Sequence, residues 1–384
     1  MAKDLSVAKL QAKLMRDYYK DFSKYSKGKK TDHKVAWVTA FTPVEILEAL
    51  GISYYYPESY AAVIAASNKE QEAIEHSEKQ NLSRNCCSYS CCFNGCLELD
   101  SGPRGNPPTP DVLIATNNQC NTLPGWWNVL AVKYNIPLIV LDYPGENADR
   151  ETALVYVTDQ HRALISTMEK LSGNKMNETM LEELILNSKN SVNAWKSFID
   201  YIPVKEIDPT MFFDGINFLI TARCKQDVAQ LYEILAKETE SEKDADGTFI
   251  PLFWLGYPLW YHSNRYLNDS LDGFRIVGSD YVTWWNLDYK GSDVYEQLFN
   301  AYNYTFLNLT QESRDKRIKE LLQVSGAKCA IVLHNKSCKC DFVSAKNISI
   351  PQAEIEIDMI DRTYLDTEKA ERLIRLMRDT VCSE

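Results

Sequence analysis

The sequence predicts an α/β protein with two doubly wound lobes of Rossmann or flavodoxin type, each around a parallel sheet, and a helical segment between them. Three observations carry this expectation. Asp111-Val-Leu-Ile-Ala-Thr116 and Ile136-Pro-Leu-Ile-Val-Leu-Asp-Tyr143 are continuous apolar runs of strand length, as in strands buried on both faces. A helical stretch over about 125–134 joins them, which makes a βαβ crossover and therefore a parallel pair. A second set of such runs, Phe249-Ile-Pro-Leu-Phe-Trp-Leu-Gly256, Arg275-Ile-Val-Gly-Ser-Asp280 and Cys329-Ala-Ile-Val-Leu333, repeats the pattern further on.

Taken in order, residues 3–26 read as an amphipathic helix, with Leu5, Leu10, Leu14 and Tyr18 near helical spacing. Lys34-Val-Ala-Trp-Val-Thr-Ala40 is a short strand. Thr42-Pro-Val-Glu45 opens the next helix as a capping box, with Thr42 as N-cap, Pro43 at the first position and Glu45 at the third. Gly51 ends it, 52–57 runs extended, and 60–80 reads as one helix leading into a cysteine-rich stretch. Residues 150–240 are mainly helical, with a break at Ile202-Pro203. The charged run 238–247 reads as a surface linker. In the second lobe, helices are expected over 260–272 and 314–324. A last strand is expected at Ile355-Glu-Ile-Asp358, with Thr367 capping the terminal helix. The organisation is thus 1–150 for the N-terminal helix and first lobe, 151–245 for the helical segment and linker, and 246–384 for the second lobe.

The 384 residues carry a net charge of −11 without a compensating basic block, which argues against nucleic-acid binding. Lys27–Lys30 is only a short basic run and reads as a solvated loop. The charged start lacks an apolar h-region, so no signal peptide is expected. No apolar run reaches the roughly 18 residues that a spanning helix needs. The expectation is a cytoplasmic protein that touches no membrane, in a compartment where clustered cysteines are more often metal ligands than disulfides.

Of 11 cysteines, five fall in Asn85-Cys-Cys-Ser-Tyr-Ser-Cys-Cys-Phe-Asn-Gly-Cys96. On a helix, Cys87, Cys91, Cys92 and Cys96 would share one broad face. Cys120 follows one apolar strand, and Cys338 and Cys340 follow another, where doubly wound sheets bind ligands. Such distant groups suit an iron–sulfur cluster better than the local C-x₂-C pairs of structural zinc, or scattered reduced thiols. Cys224, Cys329 and Cys382 stand alone; Cys329 reads as core and Cys382 as part of a frayed terminus. Trp126-Trp127 and Trp284-Trp285 also read as core.

Cys87-Ser-Tyr with Gly95, Ala115-Thr-Asn-Asn-Gln-Cys120-Asn-Thr122, and His334-Asn-Lys-Ser-Cys338-Lys together resemble the 2-hydroxyacyl-CoA dehydratase and benzoyl-CoA reductase family. Thr42-Pro-Val-Glu45 and Gly51 resemble that family's N-terminal motif, and the likeness runs from about Val35 to the terminal helix. It implies a [4Fe–4S] cluster on Cys87, Cys120 and Cys338 with one open iron site. It also implies a separate ATP-hydrolysing [4Fe–4S] activator as electron donor, under anaerobic conditions. The surplus thiols Cys91, Cys92, Cys96 and Cys340 are similar to the family's double-cubane branch. There two cubanes share a bridging sulfide ([8Fe–9S]), and the second would take Cys340, Cys96 and either Cys91 or Cys92, with Cys86 as a substitute for Cys92.

The first expectation is therefore a homodimeric double-cubane reductase of small molecules. The second is a one-cluster (R)-2-hydroxyacyl-CoA dehydratase subunit in an αβ pair, acting through a ketyl radical. The third is a non-catalytic electron-transfer protein. Glu45 and His334 are the polar groups expected near the reacting centre, with capping and cluster hydrogen bonding as their respective plainer roles.

Overall fold

In the computed structural model, the residues described are 7–23, 33–208, 210–261, 271–338 and 348–383. The expected helix over 260–272, Lys27–Lys30 and Cys340 therefore lie wholly or mostly outside the described residues. Two four-stranded parallel sheets form the framework. The first contains β1 (Val35–Val38), β2 (Ser53–Tyr55), β3 (Val112–Thr116) and β4 (Leu138–Leu141), in the order β2-β1-β3-β4. The second contains β5 (Ile250–Gly256), β6 (Phe274–Ser279), β7 (Cys329–Asn335) and β8 (Gln352–Ile357), in the order β6-β5-β7-β8. Both are doubly wound lobes. Chain order reverses between β1 and β3 and between β5 and β7, so each sheet opens a crevice at those carboxyl ends.

Helices supply the layers. The first lobe has α1 (Val7–Ser23), α2 (Val44–Ala49), α3 (Pro57–Ala66), α4 (Glu70–Lys79), α5 (Ser88–Leu99) and α6 (Thr122–Tyr134). Between the lobes lie α7 (Arg150–Ser172), α8 (Glu178–Tyr201), α9 (Thr210–Gly215), α10 (Asn217–Thr221) and α11 (Gln226–Glu240). The second lobe has α12 (Val294–Asn303), α13 (Gln311–Ser325) and α14 (Thr367–Ser383). Among the described residues no helix is long and apolar enough to cross a membrane.

Four local expectations are corrected. The single helix over 60–80 is two, because Asn68 takes a left-handed φ of 57° after α3 and the chain restarts at Glu70. The capping box at Thr42 does not form: α2 begins at Val44 without a side-chain cap, and Glu45 turns inward to other partners. Asp366, not Thr367, caps the last helix by accepting from the Lys369 amide. The charged run after α11 is not a free linker, since it pairs back on 204–206 through Lys205, Asp244 and the Ala245 amide.

Two glycines are required by close approach. At Gly256, which has φ 99°, a Cβ would meet the Leu333 carbonyl at 2.5 Å, so only glycine lets β5 end against β7 and turn toward Tyr257. At Gly95 a Cβ would lie 1.8 Å from the Ala73 carbonyl, because α5 crosses α4 backbone to backbone there. Alanine is the better helix former by about 1 kcal/mol, so propensity alone predicts that Gly95→Ala stabilises. The crossing predicts the opposite. Gly95→Ala should lower stability by about 1–3 kcal/mol or more through overpacking, read as a reduced urea midpoint.

Candidate functional site

The carboxyl ends of both sheets open on one cavity of about 310 Å³, and three cysteines from three different loops line it: Cys87, Cys120 and Cys338. Cys87 is not part of the helical thiol face. It is the N-cap of α5, with extended backbone (φ −61°, ψ 122°), so the 3.6-residue repeat starts only after it. Cys120 leaves β3 in a loop pinned on both sides. The Asn118 side chain donates to the Tyr302 carbonyl at 2.7 Å, and the Asn118 carbonyl accepts from Thr305 Oγ1 at 2.8 Å. Asn117 Oδ1 accepts from the Tyr143 amide. The Thr122 amide donates to Cys120 Sγ at 3.3 Å. Cys338 follows β7, with its Sγ 3.4 Å from Tyr257 Oη. The residues beside two of the cysteines are tied across the cavity: Ser88 Oγ and Ser337 Oγ are 2.9 Å apart and buried. Asp358 sits beside this pair; burial raises its pKa, and both hydroxyls hold the rise down.

Three thiols from three loops on one cavity are a donor set that an iron–sulfur cluster accepts. Among the described residues no three His, Cys, Asp or Glu side chains converge as a mononuclear metal site requires. A cluster gives each thiolate its own iron, and so spaces its ligands more widely. Burial pushes the Cys87 thiol well above its usual pKa, and the neighbouring Cys120 pushes it further. A buried thiolate needs a positive partner, which iron would supply. Cys87, Cys120 and Cys338 are the residues that would hold such a cluster.

The sequence reading missed Glu58, at the first turn of α3, which lines the same cavity. Its Oε1 accepts from Gln119 Nε2 at 2.9 Å, and its Oε2 accepts from the Ala40 amide at 3.3 Å. Burial outweighs both hydrogen bonds and pushes its pKa up to about 7, a value suited to giving and taking protons. The available signal was position: Pro57-Glu58 stands just past a short strand, at the sheet end where ligands bind. The expectation that Trp284 and Trp285 belong only to the core is incomplete. They are buried, yet both line the cavity, where Trp285 stacks on Phe41 at 4.5 Å between ring centres.

The other candidates lie elsewhere. Cys91, Cys92 and Cys96 are buried where α5 packs on α3 and α4, and none lines the cavity. Cys91 Sγ points to the Ser83 carbonyl at 3.3 Å, and Cys92 Sγ to the Ala61 carbonyl at 3.9 Å. Cys86 is exposed. His334 is half-buried on β7 and pairs with Glu354 on β8 at 3.1 Å.

Glu45 is fully buried away from the cavity. It accepts from Ser188 at 2.6 Å, Tyr289 at 2.8 Å and Tyr302 at 2.7 Å, and lies 3.6 Å from the Arg223 guanidinium. Arg223 also donates to the carbonyls of Thr42, Leu219 and Ile220. Removing one partner of a buried pair strands the other, at about 3–5 kcal/mol. Glu45→Ala should therefore cost about that much in chemical denaturation. His334→Gln, which loses a partly exposed pair, should change stability by about 1 kcal/mol or less.

Residues 39–373 match the sequence model of the family described as 2-hydroxyglutaryl-CoA dehydratase, D-component. The chain is 26% identical over 324 residues to the (R)-phenyllactyl-CoA dehydratase alpha subunit of Clostridium sporogenes, covering 81% of this chain and 79% of that one. It is 24% identical over 405 residues to the alpha subunit of (R)-2-hydroxyglutaryl-CoA dehydratase from Acidaminococcus fermentans, covering 83% and 84%. It is 23% identical over 382 residues to a benzoyl-CoA reductase subunit of Thauera aromatica, covering 90% and 88%. With the match spanning both lobes and all three cysteines of the cavity, the chain belongs to the 2-hydroxyglutaryl-CoA dehydratase D-component family.

Proposed function

We propose that this chain is the cluster-bearing subunit of a 2-hydroxyacyl-CoA dehydratase, with one [4Fe–4S] cluster on Cys87, Cys120 and Cys338. The observation that carries the reading is the meeting of three thiols and a carboxyl of pKa about 7 on one cavity. When bound, the cluster would lend one electron to the substrate, take it back once water has left, and offer an iron site to one of the substrate's oxygens.

The chain's own residues supply the rest. Dehydration removes a proton from C3 and the hydroxyl from C2, which leave together as water. Glu58 can take the first proton and return one to the departing hydroxyl, so the balance closes on one carboxyl. The amides of Gln119 and Ala40 hold that carboxyl at the cavity wall. A separate ATP-hydrolysing activator would deliver the electron, and a related subunit would complete an αβ pair. Both stand as part of the proposal, with a homodimer as the other arrangement.

The double-cubane reductase remains the second reading, and the geometry speaks for the single cluster. A second cubane would need Cys340, Cys96 and one of Cys91, Cys92 or, in place of Cys92, the exposed Cys86, so Cys96 at least would have to be drawn from among Cys91, Cys92 and Cys96. Those three are enclosed by helix packing instead of facing the cavity.

Iron and acid-labile sulfide in anaerobically purified protein should each come to about four per chain, the content of a single [4Fe–4S] cubane. A value near eight iron per chain would restore the two-cubane reading. Cys120→Ala should lose the cluster, whereas Cys340→Ala should keep its iron. Glu58→Gln should keep full iron content while turnover falls by about 10²–10⁴-fold, the usual worth of a positioned acid–base group. The wild-type pH–rate profile should bend near about 7, and the Gln variant should lose that bend.

A further inference from the structure

Resting on the dehydratase reading, we propose that the acyl groups admitted to this cavity carry apolar side chains, aliphatic or aryl, and that a second carboxylate is rejected. The face of α3 that lines the cavity begins at Glu58 and continues through Ser59, Ala62, Val63 and Ala66. These positions follow the helical repeat, so they form one stripe that extends about 12 Å from the Glu58 end at 1.5 Å per residue. Past Ser59 the stripe is wholly apolar. Phe213 and Ile220, from α9 and α10, line the cavity as well.

Much of the remaining wall is aromatic, with polar side chains such as Asn217, Gln119 and Asn335 between. Trp284 and Trp285 follow β6, Tyr281 precedes them, and Trp260 donates to Tyr89 Oη at 2.6 Å. This contact occupies the polar edge of Trp260 and leaves ring surface for a ligand. A side chain that extends along α3 from a reacting centre beside Glu58 meets the aliphatic stripe of Ala62, Val63 and Ala66. An apolar side chain gains by burial there. A carboxylate would shed its hydration there with no cationic side chain among the described lining residues to replace it.

Charge points the same way. The ionisable groups lining the cavity among the described residues, apart from the cysteines and the tyrosines, are Glu58 and Asp214, and the lining includes no Lys or Arg. The Asp214 carboxyl, and Glu58 in its ionised fraction, oppose an anionic side chain. Selection would therefore come from attraction to apolar groups and repulsion of acidic ones together.

The test is binding, which separates selection from catalysis. Anaerobically purified, cluster-loaded protein would be titrated with CoA thioesters of 2-hydroxy-4-methylpentanoic, 2-hydroxy-3-phenylpropanoic and 2-hydroxyglutaric acids. Quenching of the fluorescence of the cavity tryptophans Trp260, Trp284 and Trp285 reports occupancy. The two apolar thioesters should bind at least ten-fold more tightly than the dicarboxylic one. Ala62→Phe should weaken the phenyl thioester at least ten-fold with iron content unchanged. Val63→Arg should narrow or reverse the preference. Equal or tighter binding of the glutaryl thioester overturns the inference and leaves the dehydratase reading standing. Failure of all three thioesters to bind iron-replete protein overturns both.

Discussion

The structure depends on one fully buried guanidinium. Arg223 follows α10, donates to the Thr42 carbonyl before α2, and meets Tyr289 and Tyr302 from the second lobe. Stripping a charge of its hydration costs several kcal/mol, so its position is tolerable only where its donors find acceptors. Glu45 supplies the countercharge, and the hydroxyls of Ser188, Tyr289 and Tyr302 in turn satisfy Glu45. The result joins the first lobe, the middle helices and the second lobe at one point. It also sets the cavity wall, since Phe41 lies beside Thr42, and Arg223 holds the carbonyl of Ile220. A shift of this hub would move both walls.

A second set of bonds registers the cysteines themselves. Each comes from a loop, and loops alone do not hold three sulfurs to the tolerance that a cluster needs. Ser88 and Ser337 join the segments carrying Cys87 and Cys338. Asn118 binds both the carbonyl of Tyr302 and the hydroxyl of Thr305, which fixes the Cys120 loop on the second lobe. Glu58 reaches Gln119, so the acid–base group and the loop of one cysteine are coupled. The thiols are thus positioned across the two lobes by bonds of the protein alone, which would reduce the ordering cost of binding the proposed cluster.

How much of this was legible follows from what each signal averages over. Continuous apolar runs marked β3, β5 and β7, because a strand buried on both faces leaves little choice of residue, and marked β4 too, although at the sheet edge it leaves Val140 exposed. The cysteines beyond those strands were legible for the same reason, since the strand end gives them a place. Residues whose role is set by a partner far along the chain were not. Glu45 occupies a normal acidic position in a first helical turn, and only Arg223, in a different layer of the fold, shows its use. Glu58 looks equally ordinary until Ala40, Gln119 and the cavity surround it. In the stretch 85–96, periodicity alone misleads. It puts the thiols on one face, whereas the helix starts one residue after Cys87 and sends the rest into the packing of α3 and α4.

The apolar lining also bears on where the electron must come from. An electron added to a buried centre raises negative charge in a medium that solvates it poorly, and the cost appears as a lower reduction potential. Among the described residues the cavity wall offers no Lys or Arg to offset that charge. The Thr122 amide on Cys120 Sγ and the Tyr257 hydroxyl near Cys338 Sγ provide partial compensation as hydrogen-bond donors. Glu58, pushed toward its neutral form by burial, avoids adding a further negative charge. A centre of this kind is hard to reduce, and a donor driven by ATP hydrolysis meets that difficulty. Under the proposed dehydratase reading, the apolar walls that would select the acyl side chain would also make an activator necessary, so substrate choice and electron supply would answer to one feature of the cavity.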